Sequence, residues 1–169
     1  MSEPHARLNA LSRDEARAAL LRCCGARRWA EGMLARRPFS SQSELLRAAD
    51  AVWSQLDKSD YLEAFAHHPR IGEDLAALRA KFASTAGWAH QEQAGVRAAD
   101  ERTLLALRDD NQAYFDRFGY IFIVCATGKS APEMLELLRA RLHNEPAFEL
   151  SIAAAEQAKI TRLRLEKLT

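Results

Sequence analysis

The sequence predicts an all-α protein, a single-domain bundle of about eight to ten helices with one short extended core segment. Glycine and proline, the residues least compatible with helix interiors, number only seven and five among 169 residues. Apolar residues recur three and four positions apart along most of the chain, which is the spacing of one helix face. With 48% hydrophobic residues and a net charge of +1, the chain can bury a core, so we expect one domain over residues 1–169.

Two helices are predicted before Pro38. Ser12 and Glu15 have the spacing of a capping box, in which each side chain binds the backbone N–H of the other residue. The helix that follows them stops near Gly25. A short second helix then ends before Pro38, because proline cannot continue a helix.

Two more helices are predicted before Pro69. Ser41 and Glu44 repeat the capping pattern and open a helix whose apolar stripe comprises Leu45, Ala49, Val52, Trp53 and Leu56. Ser59 is the expected cap of the next helix. Pro69 interrupts that helix, since a proline disfavours helical geometry in the residue before it.

The middle of the chain predicts three helices and one segment of a different kind. The helices are expected from Leu75 to Phe82, from Trp88 to Val96 and from Ala98 to Arg117, the last with Gly119 as its C-cap. Tyr120 to Cys125 is an uninterrupted apolar run that would suit a buried strand, but a lone strand has no partner. We therefore expect an extended core segment or a turn of helix there.

Two helices complete the chain. Ser130 to Glu133 opens the first of them, and the second runs from about Ala147 to Leu168. Gly128 to Ser130 ends like a phosphate-binding loop, but the first glycine of that motif is missing. An ordinary loop before a helix is therefore predicted at this point.

Composition excludes several classes of protein. No apolar stretch approaches the ~18–20 residues of a membrane span, and the near-neutral charge argues against a nucleic-acid binder. The start of the chain lacks a basic stretch followed by an apolar core, and Lys167 to Thr169 is not the peroxisomal tripeptide, so we expect a cytoplasmic protein. A solvated helix face is the expected role of Arg27, Arg28, Arg36 and Arg37.

The cysteines and histidines lack the spacing of a disulfide framework or of a zinc site. Cys23 and Cys24 are adjacent and Cys125 lies in an apolar run, so buried reduced thiols are expected. His90 and Glu92 fit the H-x-E of zinc deaminases, but the P-C-x-x-C that completes that motif is missing. We therefore expect no metal site.

His68 is the first candidate for proton transfer. Pro69 forces it toward extended backbone geometry, so its imidazole leaves the helix where it can turn into a cleft. The pKa of an ordinary histidine lies close to neutral pH, which suits general acid–base catalysis. The alternative is a helix end with a solvated or capping histidine pair, His67 and His68, and composition alone favours that alternative.

Two further features carry polar groups suited to a small polar ligand. Glu92 and Gln93 offer a carboxylate and an amide, which can accept from and donate to a planar urea-like group, although an exposed pair on an alanine-rich helix is the plain alternative. Arg164 interrupts an otherwise apolar helical stripe, in which Ile160 and Leu168 lie four residues to either side of it, whereas Arg162 lies on roughly the opposite face. A guanidinium at that place either extends to solvent or pairs with an anion such as a carboxylate.

In this order the features resemble the OHCU decarboxylase family, which acts on 2-oxo-4-hydroxy-4-carboxy-5-ureidoimidazoline (OHCU) in urate breakdown. The matching stretches span nearly the whole chain and comprise Phe65 with His68–Gly72, then Glu92–Gly95, Phe118–Phe122 and Lys159–Leu165. One departure is Ala89, where many members of the family carry serine three residues before the glutamate. A hydroxyl contact at that place is then missing or is supplied by another group, such as His90.

The resemblance implies an all-helical, cofactor-free decarboxylase, usually a homodimer, that converts the small-molecule substrate OHCU to (S)-allantoin and CO2. His68 would be the general acid/base, and Glu92 would orient it or hold the ureido N–H groups. Arg164 would clamp an anionic or carbonyl oxygen, and main-chain N–H groups within Gly119–Ile123 would donate to carbonyl oxygens. The substrate-binding residues that the resemblance implies are Pro69, Gln93, Phe118, Gly119, Tyr120, Ile121, Phe122, Ile123 and Arg164.

Two other classes of function stay open at this point. One is a non-catalytic helical module that binds ureides, and Ala89 is the feature that favours it. The other is a lyase or hydrolase that uses His68 and Glu92 on a related ureide or purine-derived acid.

Overall fold

The computed structural model describes residues 2–70, 75–82 and 94–169, and gives only the backbone of residues 81, 82 and 94–99. Every regular element in these residues is a helix, which confirms the all-α prediction. The nine helices of the described residues are α1 (Pro4–Ala10), α2 (Arg13–Cys23), α3 (Arg27–Leu34), α4 (Gln42–Ser54), α5 (Lys58–Ala66), α6 (Leu75–Phe82), α7 (Ala94–Phe118), α8 (Ala131–Leu142) and α9 (Pro146–Glu166). None of these helices is long and apolar enough to cross a membrane.

The chain divides into two compact units. The first comprises Met1–His68, Ile123–Cys125 and Ile152–Thr169, and the second comprises Pro69–Phe122 and Ala126–Ser151. The expectation of one domain over residues 1–169 stays a prediction.

The first unit begins with a helix that the apolar spacing does not predict. α1 has only seven residues, carries Pro4 in its first turn and buries Leu8 alone, so it is too short to show a periodic apolar face. The predicted capping box of α2 is confirmed: the Glu15 N–H donates to Ser12 Oγ over 3.3 Å, and the Ser12 N–H donates to Glu15 Oε2 over 2.9 Å.

The helix α4 starts with half of the predicted capping pattern. The Glu44 N–H donates to Ser41 Oγ over 3.1 Å, as predicted. The Glu44 carboxylate instead accepts from both the N–H and the hydroxyl of Ser40, each over 2.5 Å. The bond from the Ser41 N–H that would complete the capping box is therefore replaced by bonds from Ser40, the residue before the cap.

The predicted cap of α5 is wrong by two positions. Asp57 is the N-cap, and its carboxylate accepts from the N–H of Ser59 over 3.0 Å and of Asp60 over 3.3 Å. The Asp57 N–H donates in turn to the Asp60 carboxylate over 3.2 Å, which completes a capping box. An aspartate accepts from backbone N–H groups as well as a serine does, and here it stands two residues before the predicted cap.

Two tryptophans fix the interior of the first unit. The indole N–H of Trp29 in α3 donates to the carbonyl of Ala49 in α4 over 3.1 Å. The indole N–H of Trp53 in α4 donates to the carbonyl of Ala154 in α9 over 2.9 Å. Both rings are buried, so their polar N–H groups are satisfied while their area contributes to the core.

The four arginines that were expected to form one solvated helix face differ in their contacts. Arg27 lies 3.0 Å from Glu63, and Arg28 lies 3.2 Å from Asp57 and 2.7 Å from Asp60. These pairs are mostly exposed, which agrees with a solvated helix face. For Arg36 and Arg37 the expectation is wrong, because both follow the end of α3, and Arg37 donates to main-chain carbonyls.

In the second unit, α7 packs against α6 and α8. The part of the predicted helix Trp88 to Val96 that precedes Ala94 lies outside the described residues, and the predicted break before Ala98 is wrong, since α7 runs without interruption through it. α7 ends at Phe118, and Gly119 follows it with a φ of +80°, where its N–H donates to the carbonyl of Phe115 over 2.8 Å. The predicted C-cap is therefore confirmed, and it uses the left-handed conformation that glycine adopts without steric cost.

The apolar run that follows Gly119 forms neither a helix nor a strand. Its side chains are nevertheless mostly buried, among them Tyr120, Phe122, Ile123 and Val124. Of the two expectations for this segment, a core segment is confirmed and a helical turn is wrong. An apolar run that joins no sheet can still lie in a core, because burial of its side chains is favourable.

A buried carboxylate organises the second unit. Glu149, in the first turn of α9, is fully buried and accepts from the Tyr114 hydroxyl over 2.6 Å and from Arg141 Nε over 2.7 Å. The side-chain amide of Asn144 donates to its other oxygen over 2.9 Å. Burial and the bond to Glu149 raise the pKa of the Tyr114 hydroxyl, which stays protonated as a donor.

Candidate active site

His68 follows the C-terminal end of α5 in the first unit. α5 ends at Ala66, and the His68 N–H still donates to the carbonyl of Phe65 over 3.1 Å before Pro69 takes the chain out of the helix. The imidazole is half-buried. The predicted departure from the helix at the proline therefore turns this side chain toward the interior of its unit.

His67 makes different contacts, although it is the neighbouring residue. It is exposed, and its Nδ1 lies 2.9 Å from the carbonyl of Glu63. Its ring lies so close to Gly25 that a Cβ built on this glycine would overlap it. Gly25 is thus required for close approach, and His67 contributes to the packing of the turn that carries His68.

The imidazole of His68 is held by a glutamine of α9. His68 Nε2 lies 2.5 Å from Gln157 Oε1, and Gln157 is fully buried. The other end of this amide, Gln157 Nε2, donates to Thr161 Oγ1 over 3.1 Å. Thr161 also lowers the pKa of the buried Cys24 thiol, although burial outweighs this effect.

The surroundings of His68 favour its neutral form. Burial is the largest cause that lowers the pKa of His68, and the positive charges of Arg164 and His67 lower it further. The hydrogen bond with Gln157 acts in the opposite direction but does not outweigh them. The imidazole is therefore uncharged at neutral pH and can accept a proton.

Arg164 lies at the edge of the same side of α9. Residues 157, 161 and 164 are spaced i, i+4 and i+7, so their side chains share one helix face. Arg164 Nη1 lies 3.4 Å from the carbonyls of both Arg22 and Cys23 at the C-terminal end of α2. Arg162 instead forms an ion pair with Asp50 at 2.6 Å.

The apolar stripe predicted for the last helix is wrong in part. Ile160 is half-buried, Arg164 is exposed, and Leu168 lies beyond the end of α9 at Glu166. The buried line of this helix within the first unit instead consists of Ala153, Ala154, Gln157, Thr161 and Leu165. Two of its members are polar, so a search for apolar spacing does not find it.

The other predicted binding residues lie in several parts of the chain. In the second unit, Pro69 is exposed, and the Phe118 ring contacts Tyr114 with 4.6 Å between ring centroids. The Gly119 N–H is already bonded within the helix cap, whereas Ile123 is buried in the first unit. Among the predicted binding residues, Tyr120 and Phe122 are buried and Ile121 is half-buried.

Glu92 and Gln93 lie outside the described residues, and so do Ala89 and His90. In the part of the chain that the structure describes, no group of three or more His, Cys, Asp and Glu side chains could hold a metal ion. The described part of the candidate site thus consists of His68, Gln157, Thr161, Arg164 and Cys24.

Three of these residues were not predicted from the sequence. Gln157 and Thr161 stand four residues apart and precede Arg164 by about two turns and one turn, so a polar line on one helix face was the available signal. Cys24 was expected to be buried and reduced, and burial raises the pKa of both Cys23 and Cys24 to about 11. Neither residue alone indicates a contact with the histidine.

Comparison with known proteins finds similarity along almost the whole chain. The sequence profile of the OHCU decarboxylase family matches residues 9–166. The uric acid degradation bifunctional protein TTL of Arabidopsis thaliana is 37% identical over 147 residues, which are 86% of this chain and 45% of that protein. The 2-oxo-4-hydroxy-4-carboxy-5-ureidoimidazoline decarboxylase of Mus musculus is 31% identical over 142 residues, which are 82% of this chain and 77% of that protein.

Solved structures show the same similarity. A crystal structure of OHCU decarboxylase in the presence of (S)-allantoin superposes with a TM-score of 0.69 and 37% identity, and covers 88% of this chain and 94% of that one.

The chain spans about half of the Arabidopsis relative and about a quarter of the bifunctional protein PucL of Bacillus subtilis, at 45% and 26% of their lengths.

Proposed function

The chain belongs to the OHCU decarboxylase family, and on that premise we propose that it decarboxylates OHCU to (S)-allantoin and CO2 in urate degradation. The observation that carries the proposal is the half-buried, uncharged imidazole of His68 in the same unit as the Arg164 guanidinium, in a chain that matches the family over residues 9–166. A proton acceptor and a cation are the groups that loss of a carboxylate calls for.

The reaction balances with the substrate's own atoms and one proton. The bond between C4 and the carboxylate breaks, CO2 leaves, and the electron pair moves into the neighbouring imine of the ring. The former imine nitrogen takes up one proton as the double bond shifts to C4 and C5. The C4 hydroxyl then becomes a carbonyl by losing its proton, and C5 receives a proton on one face, so that one added proton is consumed in all. The protein has to orient the ring, stabilise the developing charge and move these protons.

The residues take the following roles in this proposal. His68 exchanges the proton with the C4 hydroxyl or with C5, and Arg164 binds an anionic or carbonyl oxygen of the substrate. The family resemblance gives Glu92 and Gln93 the orientation of His68 and of the ureido group. Pro69, Phe118 and the main-chain N–H groups within Gly119–Ile123 complete the substrate-binding residues, with the Gly119 N–H already used by the helix cap.

A chiral assay tests the proposal. The full chain is added to freshly prepared OHCU, and circular dichroism follows the product. We expect dextrorotatory (S)-allantoin to appear faster than by spontaneous decay. Decay at the spontaneous rate in the presence of folded protein contradicts the proposal and favours a binding module, and turnover of a related ureide in place of OHCU favours a different lyase or hydrolase.

A pair of histidine variants tests the role of His68. His68→Ala removes the proposed acid/base, so turnover is expected to fall by about 10²–10⁴-fold while the far-ultraviolet circular dichroism stays unchanged. His67→Ala is the control, because His67 contacts Gly25 and the Glu63 carbonyl, and we expect a milder loss of turnover. Near-normal turnover of folded His68→Ala contradicts the assignment.

We also propose a homodimer, on the family resemblance, and a cytoplasmic location, on the sequence. Equilibrium sedimentation of the purified chain measures the first, and fractionation of the producing cells measures the second.

A further inference from the structure

We propose that Gln157 is a positioning residue for His68: its amide holds the imidazole in the tautomer with hydrogen on Nε2, so that Nδ1 is the proton acceptor. The proposal concerns a residue to which neither the family resemblance nor the proposed mechanism gives a role. Its functional part depends on the proposed decarboxylation, whereas its structural part does not.

The chain of hydrogen bonds starts at the buried hydroxyl of Thr161 on α9. A hydroxyl oxygen has two lone pairs, so Thr161 Oγ1 can accept a hydrogen bond from a neighbouring donor. Thr161 also lowers the pKa of the fully buried thiol of Cys24.

That donor is the amide of Gln157. Gln157 Nε2 lies 3.1 Å from Thr161 Oγ1, and Gln157 itself has no exposed surface. Because Thr161 accepts here, the amide nitrogen must face it, and the amide oxygen must face the opposite way. In the reversed orientation the amide nitrogen would face His68 Nε2, and the imidazole would have to be the opposite tautomer.

The orientation of the amide fixes the tautomer of the histidine. Gln157 Oε1 is a carbonyl oxygen and can only accept, so the ring nitrogen 2.5 Å from it, His68 Nε2, must carry the hydrogen. In a neutral imidazole the other nitrogen, Nδ1, then holds the lone pair. The same bond also restricts rotation of the imidazole, because it holds Nε2 against the buried Gln157 side chain of α9.

A glutamine suits this position better than a carboxylate would. The charged groups that act on His68 are His67 on the same turn and Arg164 on α9, and both favour the neutral ring. A glutamate at position 157 would place a negative charge at hydrogen-bond distance from Nε2 and stabilise the imidazolium. The neutral amide holds the ring without placing a negative charge beside it, so the ring stays unprotonated and can accept a proton.

Nitrogen-15 NMR of the full chain labelled at histidine tests the tautomer directly. The His68 signals are identified by their absence in His68→Ala. We expect a pyrrole-type shift for Nε2 and a pyridine-type shift for Nδ1 above the pKa of the ring. The opposite pattern, with hydrogen on Nδ1, overturns the proposal, because it requires the whole chain of bonds to run in the reverse direction.

A matched pair at position 161 tests how the amide is oriented. Thr161→Val removes the acceptor for Gln157 Nε2 with little change in volume, so we expect the His68 tautomers to become a mixture. Thr161→Ser restores the hydroxyl and should restore the single tautomer. Identical His68 shifts in the wild type and in Thr161→Val overturn the proposed orientation mechanism.

Variants at position 157 test the consequence for catalysis. Gln157→Glu should move the acid limb of the kcat/KM profile upward by about 1–3 pH units, and Gln157→Met should lower kcat by at least about tenfold with KM changed less than about threefold. A residue that only packs would lower the unfolding temperature and leave the pH profile in place, and that outcome overturns the proposal. If the wild type does not decarboxylate OHCU, the proposed function fails, and the tautomer measurement still decides the structural part.

Discussion

At the scale of single residues, two adjacent histidines differ because of the atoms that surround them. His67 faces outward and packs on Gly25, which needs its missing Cβ to allow that approach. His68 turns inward to Gln157 and toward the charge of Arg164. The proline that follows the pair takes the backbone out of the helix, and this places one ring on each side of the turn.

The lowered pKa of His68 predicts a specific pH dependence of stability. Above about pH 6.5 the His68 ring is neutral in both the folded and the unfolded chain. Below that pH the unfolded chain binds the proton first. The free energy of unfolding therefore decreases as pH falls. Exposed carboxylates with lowered pKa, such as Glu31, lose their contribution only at pH below 4.5. Urea unfolding of the wild type and of His68→Gln at about pH 7.5 and about pH 5 measures the difference. An equal loss of stability in both proteins would contradict the prediction.

A pair of arginine variants separates the two guanidinium groups of α9. Arg164→Ala should lower kcat/KM by about 10–100-fold, which corresponds to one lost hydrogen bond between charged groups. Arg162→Ala is the matched control, since Arg162 pairs with Asp50, and its kcat/KM should stay within about twofold of the wild type. Steady-state kinetics on OHCU decide the matter, and equal losses in both variants would contradict the assignment.

The sequence predicts part of the described site and misses the rest for a physical reason. His68 was found because Pro69 acts on the residue directly before it, which is a local effect. Gln157 and Thr161 were missed because a polar residue is buried only when its partners, here His68 and Cys24, come from distant parts of the chain. Partners so far apart in the sequence leave no periodic pattern.

At the scale of helices, local chemistry sets where elements begin and end. The starts of α2 and α8 were predicted correctly because a serine and a glutamate three residues apart satisfy the free N–H groups of the first turn. The bounds of α5 were harder to predict, since Asp57, Ser59 and Asp60 are all residues that can cap a helix.

Two variants test the cap of α5. Asp57→Ala removes the acceptor of the Ser59 and Asp60 N–H groups, so the midpoint of thermal unfolding should fall by about 2–4 °C. Ser59→Ala removes only a hydroxyl that donates to Asp57, and a smaller change is expected. A scanning calorimeter measures both midpoints. A larger effect of Ser59→Ala would mean that serine is the cap after all.

At the scale of the whole molecule, each compact unit contains a buried polar group linked to several partners. In the second unit, Glu149 accepts from Tyr114, Arg141 and Asn144, which lie on α7, on α8 and after α8. Such a charge is expensive to bury and becomes strongly destabilising when a partner is removed. The stability of this unit therefore depends on one carboxylate more than on any exposed ion pair.

Two arginines of α8 provide the matched test. Arg141→Ala leaves Glu149 buried without its cation, so the free energy of unfolding should fall by about 3–5 kcal/mol. Arg139→Ala breaks the more exposed pair with Asp110 and should change it by about 0–1 kcal/mol. Urea denaturation measures both values. Similar values for the two variants would mean that the Glu149 contacts contribute little to folding.

The adjacent thiols at the end of α2 have a practical consequence. Cys23 and Cys24 are buried and their pKa values are about 11, so at neutral pH only about one thiol in 10⁴ is a thiolate, and reagents cannot reach it in the closed protein. Alkylation of this pair therefore requires local opening of the surrounding helices. The rate at which a maleimide labels Cys23 and Cys24 therefore measures how often the protein opens locally, at the place where the proposed catalytic base His68 is held.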